Sequence, residues 1–461
     1  MSLAHPETLP HGTVPPKAAA LFTEVKPPLA DNAALLEADR CLVCGGPNTT
    51  APCATACPAM VDVPHFIDAI AHGDWEGAAE LVFGSNLLGA SCARVCPTEE
   101  LCEGACVLTK QGRRPIEIGR LQRYATDMAL RNPWSTFRTA GPPTGKRVAV
   151  IGAGPAGLVC AGELAILGHQ VRIYEARRDT GGLMRSAIAP FRLDQEPIDD
   201  EVQRILGLGV ELYVGSPVDS PEALRQIEAE ADAVFLGVGM GPDVEQPYPG
   251  DDLPGVWNSL EFIEAIKLNH MTEIGRRVAV IGGGNTAIDV AREAVRLGAT
   301  DVRLVYRRTE SEMPAFKFEV EGARADGVQF EWLTNPVHFV GEERLTGVMC
   351  QRMRLGEPDA SGRARPVPQP GSEFVLPVDT VVRAIGQQPR IEFLQWIEGM
   401  QLKHGRPVVD PATGQTPNPK YFAGGDVLNG GGTVVGAVRA AKIAALGIDA
   451  YLRAPGSEVA S

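Results

Sequence analysis

The sequence lacks the segments that would direct a protein into or across a membrane. No apolar run approaches the roughly 18 residues of a membrane-spanning helix, and the polar, proline-rich start has no apolar core of the secretory kind. Basic residues are also fewer than acidic ones, since 43 Lys and Arg against 57 Asp and Glu give a formal charge of −14. This balance argues against nucleic acid and anionic membrane as main partners. We therefore expect a cytoplasmic protein with neither partner.

Cysteine is nearly absent from most of the chain. Eight of the ten cysteines lie between Cys41 and Cys106, and only Cys160 and Cys350 lie elsewhere. Disulfide-stapled secreted domains seldom accompany a long stretch so poor in cysteine, and clustered thiols in a reducing compartment indicate metal. The two outlying cysteines are expected to fill cores.

The first glycine-rich motif follows a predicted buried strand at Val148–Ile151. It reads Gly152-Ala153-Gly154-Pro155-Ala156-Gly157 and opens a helix. Its glycines permit a tight turn, an approach of backbone to a pyrophosphate and close helix–strand packing, and the helix N-terminus stabilises phosphate. Glu175 ends the next strand, where it can accept from an adenosine ribose. The pattern predicts an FAD site, and a turn without ligand is the alternative.

The second glycine-rich motif repeats this device after Val278–Ile281. It reads Gly282-Gly283-Gly284-Asn285-Thr286-Ala287, and alanine is a permitted third position. Tyr306 stands where the first unit has its acid, and Arg307 and Arg308 follow. Guanidinium groups bind a 2′-phosphate bidentately, so we expect NADPH here, with NADH possible. A pair of solvent-exposed charges is the alternative.

A third motif near the C-terminus ends a predicted strand, Tyr421-Phe-Ala-Gly-Gly425-Asp426. Thr433 then opens a long helix whose free N–H groups can contact a flavin or its phosphates. Asp426 is a candidate acceptor for a ribityl hydroxyl. Alone the motif is weak, and it gains meaning from the two dinucleotide motifs before it.

These motifs predict an α/β fold with nested domains. Residues 1–30 are expected to form an extended arm, and residues 31–140 a small helical domain that carries the cysteines. The duplicated strand–helix–strand units predict two Rossmann-like domains of parallel sheet. We expect the FAD domain at 141–258 and 378–461, with the NAD(P)H domain inserted at 259–377.

The cysteines form two runs. The first is Cys41-x2-Cys44-x8-Cys53-x3-Cys57-Pro58, and the second is Cys92-x3-Cys96-Pro97-x4-Cys102-x3-Cys106. Structural zinc is the alternative, because Cys-x2-Cys is a common zinc half-site. Iron–sulfur is favoured because Cys-Pro ends ferredoxin cluster runs and because a hydride carrier needs one-electron relays if its acceptor lies elsewhere.

The cysteine runs joined to two nested nucleotide motifs resemble the small subunit of bacterial glutamate synthase and the N-terminal half of dihydropyrimidine dehydrogenase. The stretches 89–106 and Pro115–Gln122 are most similar to the dihydropyrimidine dehydrogenase branch. The resemblance implies a helical double 4Fe–4S domain and two glutathione-reductase-like domains. One departure is the spacer Gly45–Pro52, which is longer than the usual four residues.

The resemblance also implies specific ligands. One 4Fe–4S cluster would be held by Cys41, Cys44, Cys53 and Cys106, which we name the first ligand set. The other would be held by the second ligand set, Cys57, Cys96, Cys102 and Gln122. Cys92 would not be a ligand, and glutamate synthase small subunits carry an acid in place of Gln122. Gly182, Leu183 and Arg192 would lie at the flavin, and Ala384 and Gly386 near the nicotinamide.

The activity implied is an electron-input flavoprotein. It would oxidise NAD(P)H at FAD and pass single electrons through two 4Fe–4S clusters, with no general acid or base required. The resemblance implies an FMN-containing barrel subunit that reduces uracil or thymine as the partner. One alternative is a glutamate synthase donor to a large amidotransferase subunit, and another is a non-catalytic redox-sensing scaffold.

Overall fold

A computed structural model describes residues 22–46, 49–132, 134, 137–268, 270–271, 273–358 and 362–454. Most of the predicted extended arm, 1–30, lies outside these ranges. The described residues 22–30 form neither helix nor strand.

The cysteine-bearing region is helical. It forms the predicted helical domain, and in the described residues strand-like pairing there is limited to one bridge between Gly46 and Thr49. Asp74 caps one helix by accepting from Gly77 N–H at 2.9 Å. The helices are α1 Asp31–Asp39, α2 Pro52–Ala56, α3 Val63–Ala71, α4 Trp75–Ser85, α5 Gly89–Val95, α6 Val107–Lys110 and α7 Ile118–Arg131.

The last of these helices shows why the region folds. Ile118, Leu121, Tyr124 and Ala125 recur at helical spacing and all are buried. They belong to one hydrophobic core that continues into the first nucleotide-binding fold and includes Val150. The cysteine helices and this fold are therefore packed as one body.

The first nucleotide-binding fold contains a parallel sheet ordered β15-β4-β1-β2-β3, in which β15, Tyr421–Ala423, comes from the C-terminal part of the chain. Buried β-branched residues fill its central strands, as parallel sheets covered by helices require. Its elements are β1 Arg147–Ile151, α8 Pro155–Ile166, β2 Gln170–Tyr174, α9 Leu183–Ser186, α10 Gln195–Leu206, β3 Glu211–Tyr213, α11 Pro221–Glu230 and β4 Ala233–Leu236.

The second nucleotide-binding fold repeats the plan with the parallel order β5-β12-β6-β7-β8. A three-stranded antiparallel sheet, β11-β10-β9, is part of the same unit. Its elements are β5 Val256–Asn258, α12 Ser259–Lys267, β6 Arg277–Ile281, α13 Asn285–Arg296, β7 Asp301–Tyr306, α14 Lys317–Ala325, β8 Gln329–Trp332, β9 Thr334–Gly341, β10 Leu345–Pro358, β11 Ala364–Leu376 and β12 Thr380–Arg383.

The chain then returns to the first fold. Thr433 caps the final helix, accepting from Gly436 N–H at 3.1 Å, so the predicted helix start is confirmed. The remaining elements are α15 Ile391–Gln395, β13 Leu402–Lys403, β14 Arg406–Pro407, β15 Tyr421–Ala423, α16 Asp426–Asn429 and α17 Val434–Arg453.

The predicted domain boundaries need correction. Strand β12 was expected in the FAD domain, but it pairs with β5 and β6 of the second sheet. The second unit accordingly comprises Glu245–Ile385 with 22–24 and Ala189–Phe191, and the first comprises 25–188, Arg192–Val244 and 386–454. A short apolar strand carries no local signal of which sheet it will join.

None of the helices in the described part of the chain combines the length and apolar character needed to cross a bilayer.

Candidate functional site

The first glycine-rich motif forms a turn that a side chain would block at two places. Gly152 has φ 99°, and a Cβ there would lie 2.6 Å from the carbonyl oxygen of Gly237. A Cβ at Gly157 would lie 1.8 Å from the Gly152 oxygen, so the helix packs directly on the loop. By contrast, the nearest atom to a Cβ at Gly154 is 3.9 Å away. A side chain at Gly154 would therefore meet only ordinary van der Waals contact, from Gly182, at the start of α8, where we predict the pyrophosphate.

Glu175 lies against this loop. Its Oε2 accepts from Ala153 N–H at 2.7 Å, and its Oε1 accepts from Arg177 N–H at 2.8 Å. The residue is buried. The end of β2 and the motif are thereby fixed together, with an anionic group at the position expected for an adenosine ribose.

Two other predicted segments meet the same loop. Gly181 N–H donates to the Ala153 carbonyl at 2.8 Å, and a Cβ at Gly182 would lie 2.9 Å from Gly154 Cα. A Cβ at Gly425 would lie 2.8 Å from Ala156 Cβ. The structure therefore brings three distant glycine segments to one site, where Gly182 and Gly425 take positive φ of 53° and 79°.

The other residues predicted at the flavin are adjacent to these glycines in the chain or follow them closely. Leu183 begins α9 directly after Gly182, and Arg192 follows on the way to α10. Asp426 begins α16, and burial raises the pKa of its carboxyl. Pro155 and Ala156 open α8. Their contacts with FAD remain predictions.

The second glycine-rich motif is shaped by its own fold. Gly282 has φ 146°, and a Cβ there would lie 2.2 Å from the Ala384 carbonyl oxygen. A Cβ at Gly283 would lie 2.4 Å from the Tyr306 ring, whose hydroxyl donates to the Glu312 carbonyl at 2.9 Å. No atom lies within 4 Å of a Cβ at Gly284, which leaves room at the start of α13. This arrangement fits a second pyrophosphate.

Side chains at the start of α13 also organise the loop after β7. Asn285 Oδ1 accepts from Phe316 N–H at 3.0 Å, and Ala315 N–H donates to the Gly283 carbonyl at 3.2 Å. Thr286 follows Asn285 in the first turn of the helix. Asn285 therefore has a positioning role that the motif alone did not reveal.

The two arginines after β7 differ in their surroundings. Arg308 is buried, and its Nε donates to the Ala364 carbonyl at 2.8 Å. Arg307 is exposed. Arg307 is thus the more accessible candidate for a 2′-phosphate, whereas Arg308 fastens the strand end to β11.

The Ala384–Gly386 segment lies where the chain passes between the two units. Ala384 N–H donates to the Ile281 carbonyl at 2.8 Å, beside the second glycine-rich motif. Gly386 accepts from Val244 N–H at 2.8 Å and has φ 110°. A role of Ala384 and Gly386 at the nicotinamide stays a prediction.

The first ligand set lines one cavity. Its empty volume is about 390 Å³, including the part open to solvent, and apolar side chains such as Ile67 and Leu108 complete the wall. The longer spacer does not move Cys53 away from this cavity, and Gly46 and Thr49 within the spacer exchange hydrogen bonds of 3.0 and 3.2 Å. The four sulfur-bearing residues of this cavity are Cys41, Cys44, Cys53 and Cys106.

The three cysteines of the second ligand set, Cys57, Cys96 and Cys102, lie near one another at the end of α5. Cys96 follows this helix, and its thiol pKa is raised first by a hydrogen bond with Cys92, then by burial and by the neighbouring Cys102 and Cys57. Cys92 is buried beside the set. Gln122 Nε2 donates to the Gly89 carbonyl at 2.8 Å, which places the amide of Gln122 at the start of the same helix. Whether Gln122 ligates iron remains a prediction.

The loop after Cys57 is shaped for a sulfur acceptor. Met60 takes a left-handed φ of 59°, and its N–H donates to the Cys57 carbonyl at 2.9 Å. The N–H groups of Val61, Ala59 and Met60 all lower the pKa of the Cys57 thiol, although burial raises it more. Hydrogen bonds to sulfur of this kind stabilise cluster thiolates.

The chemistry of the donors favours clusters over a single ion. All ten cysteines are free, and burial raises the pKa of Cys53 to about 11. A single zinc ion binds four thiolates through bonds of ~2.3 Å, whereas a cubane binds each thiolate to a different iron. Sets made up mainly of cysteine suit iron–sulfur clusters, and the assignment of individual ligands stays a prediction.

Sequence reasoning missed two charged residues of the first nucleotide-binding fold. Glu201 is buried and accepts from Ala90 N–H at 2.7 Å, and Lys442 Nζ donates to the Ser85 carbonyl at 2.8 Å. Both therefore contact the cysteine-bearing region. The sequence signal for Glu201 was an acidic residue at helical spacing from Ile198 and Ile205, on the apolar face of α10.

Comparison with known proteins agrees with this architecture. The family model described as dihydropyrimidine dehydrogenase domain II, 4Fe-4S cluster, matches residues 18–134, and the pyridine nucleotide-disulphide oxidoreductase model matches residues 146–441. Among solved structures, FprA from Mycobacterium tuberculosis has a TM-score of 0.56 at 20% identity, over 68% of this chain and 85% of that one. Thioredoxin reductase from T. acidophilum has a TM-score of 0.51 at 20% identity, covering 66% and 98%. At this identity the structures establish the fold.

Curated relatives extend over nearly the whole chain. The NADPH glutamate synthase small chain of Halomonas elongata is 39% identical over 451 residues, covering 94% of both proteins. The NADP(+)-dependent formate dehydrogenase subunit beta of Moorella thermoacetica is 39% identical over 438 residues, covering 88% of this chain and 60% of that protein. These relatives are subunits of larger complexes. The chain belongs to the glutamate synthase small-subunit-like family of pyridine nucleotide-disulphide oxidoreductases, and it is an NAD(P)H-dependent FAD and iron–sulfur oxidoreductase.

Proposed function

We propose that the chain is an electron-input subunit of the glutamate synthase type, which oxidises NADPH and delivers electrons to a larger partner. The observation that carries this proposal is the single hydrophobic core shared by the cysteine helices and the first nucleotide-binding fold. We call this fold the FAD-binding fold below. Redox centres held in one packed body keep a fixed separation. When bound, FAD accepts a hydride and releases electrons singly, which two 4Fe–4S clusters can relay.

The residues of this chain supply binding and orientation. The glycine segments around Gly154 and the carboxylate of Glu175 hold the FAD adenosine and pyrophosphate. The start of α13 and Arg307 hold NADPH, with discrimination against NADH through the guanidinium. No side chain is required as a general acid or base, so the residues named at the two sites bind and exclude water.

We assign the first ligand set as the exit toward the partner. Leu42 and Val43, between Cys41 and Cys44, are 54% and 41% exposed. Three cysteines of each ligand set are partly exposed, so the assignment rests on these two side chains and not on the burial of the cysteines. An acceptor must approach closely, and apolar side chains around an exposed redox centre suit a partner subunit. The free thiols support a cytoplasmic location for this complex.

The full-length match to glutamate synthase small chains supports a large amidotransferase subunit as the partner. A second candidate is an FMN-containing barrel that reduces uracil or thymine, and Gln122 favours it because its amide lies at α5 where glutamate synthase small subunits carry an acid. Affinity purification of the tagged chain from its native host distinguishes them. Recovery with an amidotransferase supports the main proposal, whereas recovery with a barrel subunit overturns it in favour of the second.

A further inference from the structure

Helix α5 begins without a cap of its own. Leu88 at its N-cap offers no side-chain acceptor, although the first N–H groups of a helix need partners. Glu201, on α10 of the FAD-binding fold, takes this role. Its Oε1 accepts from Ala90 N–H at 2.7 Å and Ser91 N–H at 3.0 Å, and its Oε2 accepts from Ser91 Oγ at 2.5 Å.

The same helix turn is held from a second direction. Gln122 donates to the Gly89 carbonyl, and Arg94 donates to the Ala90 carbonyl at 3.0 Å and pairs with Asp127 at 2.6 Å. Cys92 follows the capped residues directly, and Cys96 lies one turn later. The position of Glu201 is therefore transmitted to the second ligand set through less than two turns of helix.

A second charged residue reaches the loop after Cys57. Lys442, on α17 of the FAD-binding fold, donates to the Ala59 carbonyl at 3.2 Å and to the Ser85 carbonyl at 2.8 Å. Ser85 ends α4, so the ammonium group also satisfies a helix C-terminus. Ala59 lies two residues after Cys57, inside the turn that directs N–H groups toward its sulfur.

The cavity of the first ligand set, by contrast, is lined by residues between Cys41 and Ile118, all of them in the cysteine-bearing region. The contrast is specific: a carboxyl group and an ammonium group from the FAD-binding fold contact the two backbone segments that carry Cys57 and Cys96. Neither residue lies near a cysteine in sequence, because 110 positions separate Glu201 from Ser91 and 383 separate Lys442 from Ala59.

We propose that Glu201 and Lys442 are positioning residues by which the FAD-binding fold holds the second ligand set, so that retention of its cluster depends on them while the first cluster does not. The inference rests on the proposed function, since it takes both ligand sets to hold clusters. Neither residue is proposed as an iron ligand; Lys442 acts through backbone carbonyl groups, and Glu201 acts through backbone N–H groups and the Ser91 hydroxyl.

The test uses the full-length chain, reconstituted anaerobically. Glu201→Ala and Lys442→Met remove the contacts, and Glu196→Ala, an exposed glutamate on the same helix, is the matched control. We expect iron to fall from about eight to about four atoms per chain in the first two variants, with one cluster signal lost in electron paramagnetic resonance spectra. Glu201→Gln should retain both clusters, because its oxygen still accepts from both N–H groups and its amide can donate to Ser91 Oγ.

Full iron content in Glu201→Ala and Lys442→Met, or loss of both clusters together with FAD, would overturn the proposal. If Glu201→Ala fails to fold, Ser91→Ala decides instead, since it removes only one hydrogen bond. We expect a chelator to strip the second cluster of this variant roughly threefold to tenfold faster than that of the wild type, and equal rates would contradict the inference. Wild-type protein without iron, or without flavin bleaching by NADPH, would instead refute the proposed function.

Discussion

Glu175 Oε2 accepts a hydrogen bond of 2.7 Å from the backbone N–H of Ala153, and this contact joins the end of β2 to the first glycine-rich motif. The carboxylate thus orders the loop that we propose holds the pyrophosphate, and it lies where we predict the adenosine ribose. One residue thereby supports both the shape and the charge of the site.

Replacing this carboxylate should weaken FAD binding. Hydrogen bonds to charged groups contribute ~1.5–3 kcal/mol each, so Glu175→Ala should raise the FAD dissociation constant by about 10-fold to 100-fold. Fluorescence titration of flavin-free protein measures this change. Asp219→Ala, an exposed acid in the same fold, is the control, and equal affinity in both variants would exclude a role for Glu175.

Arg307 should decide between the two nicotinamide cofactors. Because its guanidinium is exposed beside the second motif, Arg307→Ala should raise KM for NADPH by about 10-fold to 100-fold and leave KM for NADH unchanged. Steady-state rates with both cofactors check this, with the exposed Arg354→Ala as control. An equal loss with NADPH and NADH would mean that Arg307 does not contact a 2′-phosphate.

The cysteines near α5 should give opposite results although they lie side by side. Cys96→Ser should halve the iron content, from about eight to about four atoms per chain, whereas Cys92→Ser should keep it. Cys53→Ser should also halve it, because the folded spacer returns Cys53 to the cavity of the first ligand set. Iron analysis after anaerobic purification measures all three, and loss of iron in Cys92→Ser alone would reverse the assignment.

The exit surface should govern partner binding without affecting the flavin. Leu42→Asp places a charge beside Cys41, so it should reduce recovery of the partner subunit by about tenfold or more while NADPH still bleaches the flavin at the wild-type rate. Leu446→Asp, at a 63% exposed leucine on α17, is the matched control. Undiminished recovery with Leu42→Asp would place the exit elsewhere.

Glu201 should make stability depend on pH. Burial raises its pKa to about 7, while hydrogen bonds from Ser91 and Ala90 and the charge of Arg94 oppose the rise. Because the folded-state pKa lies above the ordinary ~4.3, its contribution is fully present at low pH and is lost as pH rises through about 7. The wild type should therefore lose free energy of unfolding relative to Glu201→Gln between about pH 5 and 7. Urea unfolding of both proteins at several pH values in this range measures the difference. An equal dependence of the free energy of unfolding on pH in the two proteins would contradict the assignment.

The sequence predicts the features that depend on local geometry. The glycine-rich motifs require positive φ or close packing at Gly152, Gly157 and Gly282, so a short pattern identifies each turn. The helix that buries Ile118 and Leu121 follows from spacing in the same way. Cofactor classes could be predicted because these local patterns carry the binding chemistry.

The features that the sequence did not predict depend on long-range pairing. Strand β12 pairs with β6, which lies about 100 residues earlier in the chain. Its short apolar sequence would fit either sheet, so the sequence does not indicate which one it joins. Arg308 and Arg307 are equivalent 2′-phosphate candidates in the sequence, but in the structure Arg308 donates to the Ala364 carbonyl. Glu201 contacts Ala90 across 111 residues, a distance at which single-sequence patterns carry no information.

An anaerobic titration of the purified protein with NADPH tests the central claim most directly. The account predicts that flavin absorbance bleaches and that paramagnetic signals of two reduced 4Fe–4S clusters then appear, with NADH less effective. An unchanged flavin spectrum, or a bleached flavin that leaves the clusters oxidised, would contradict it.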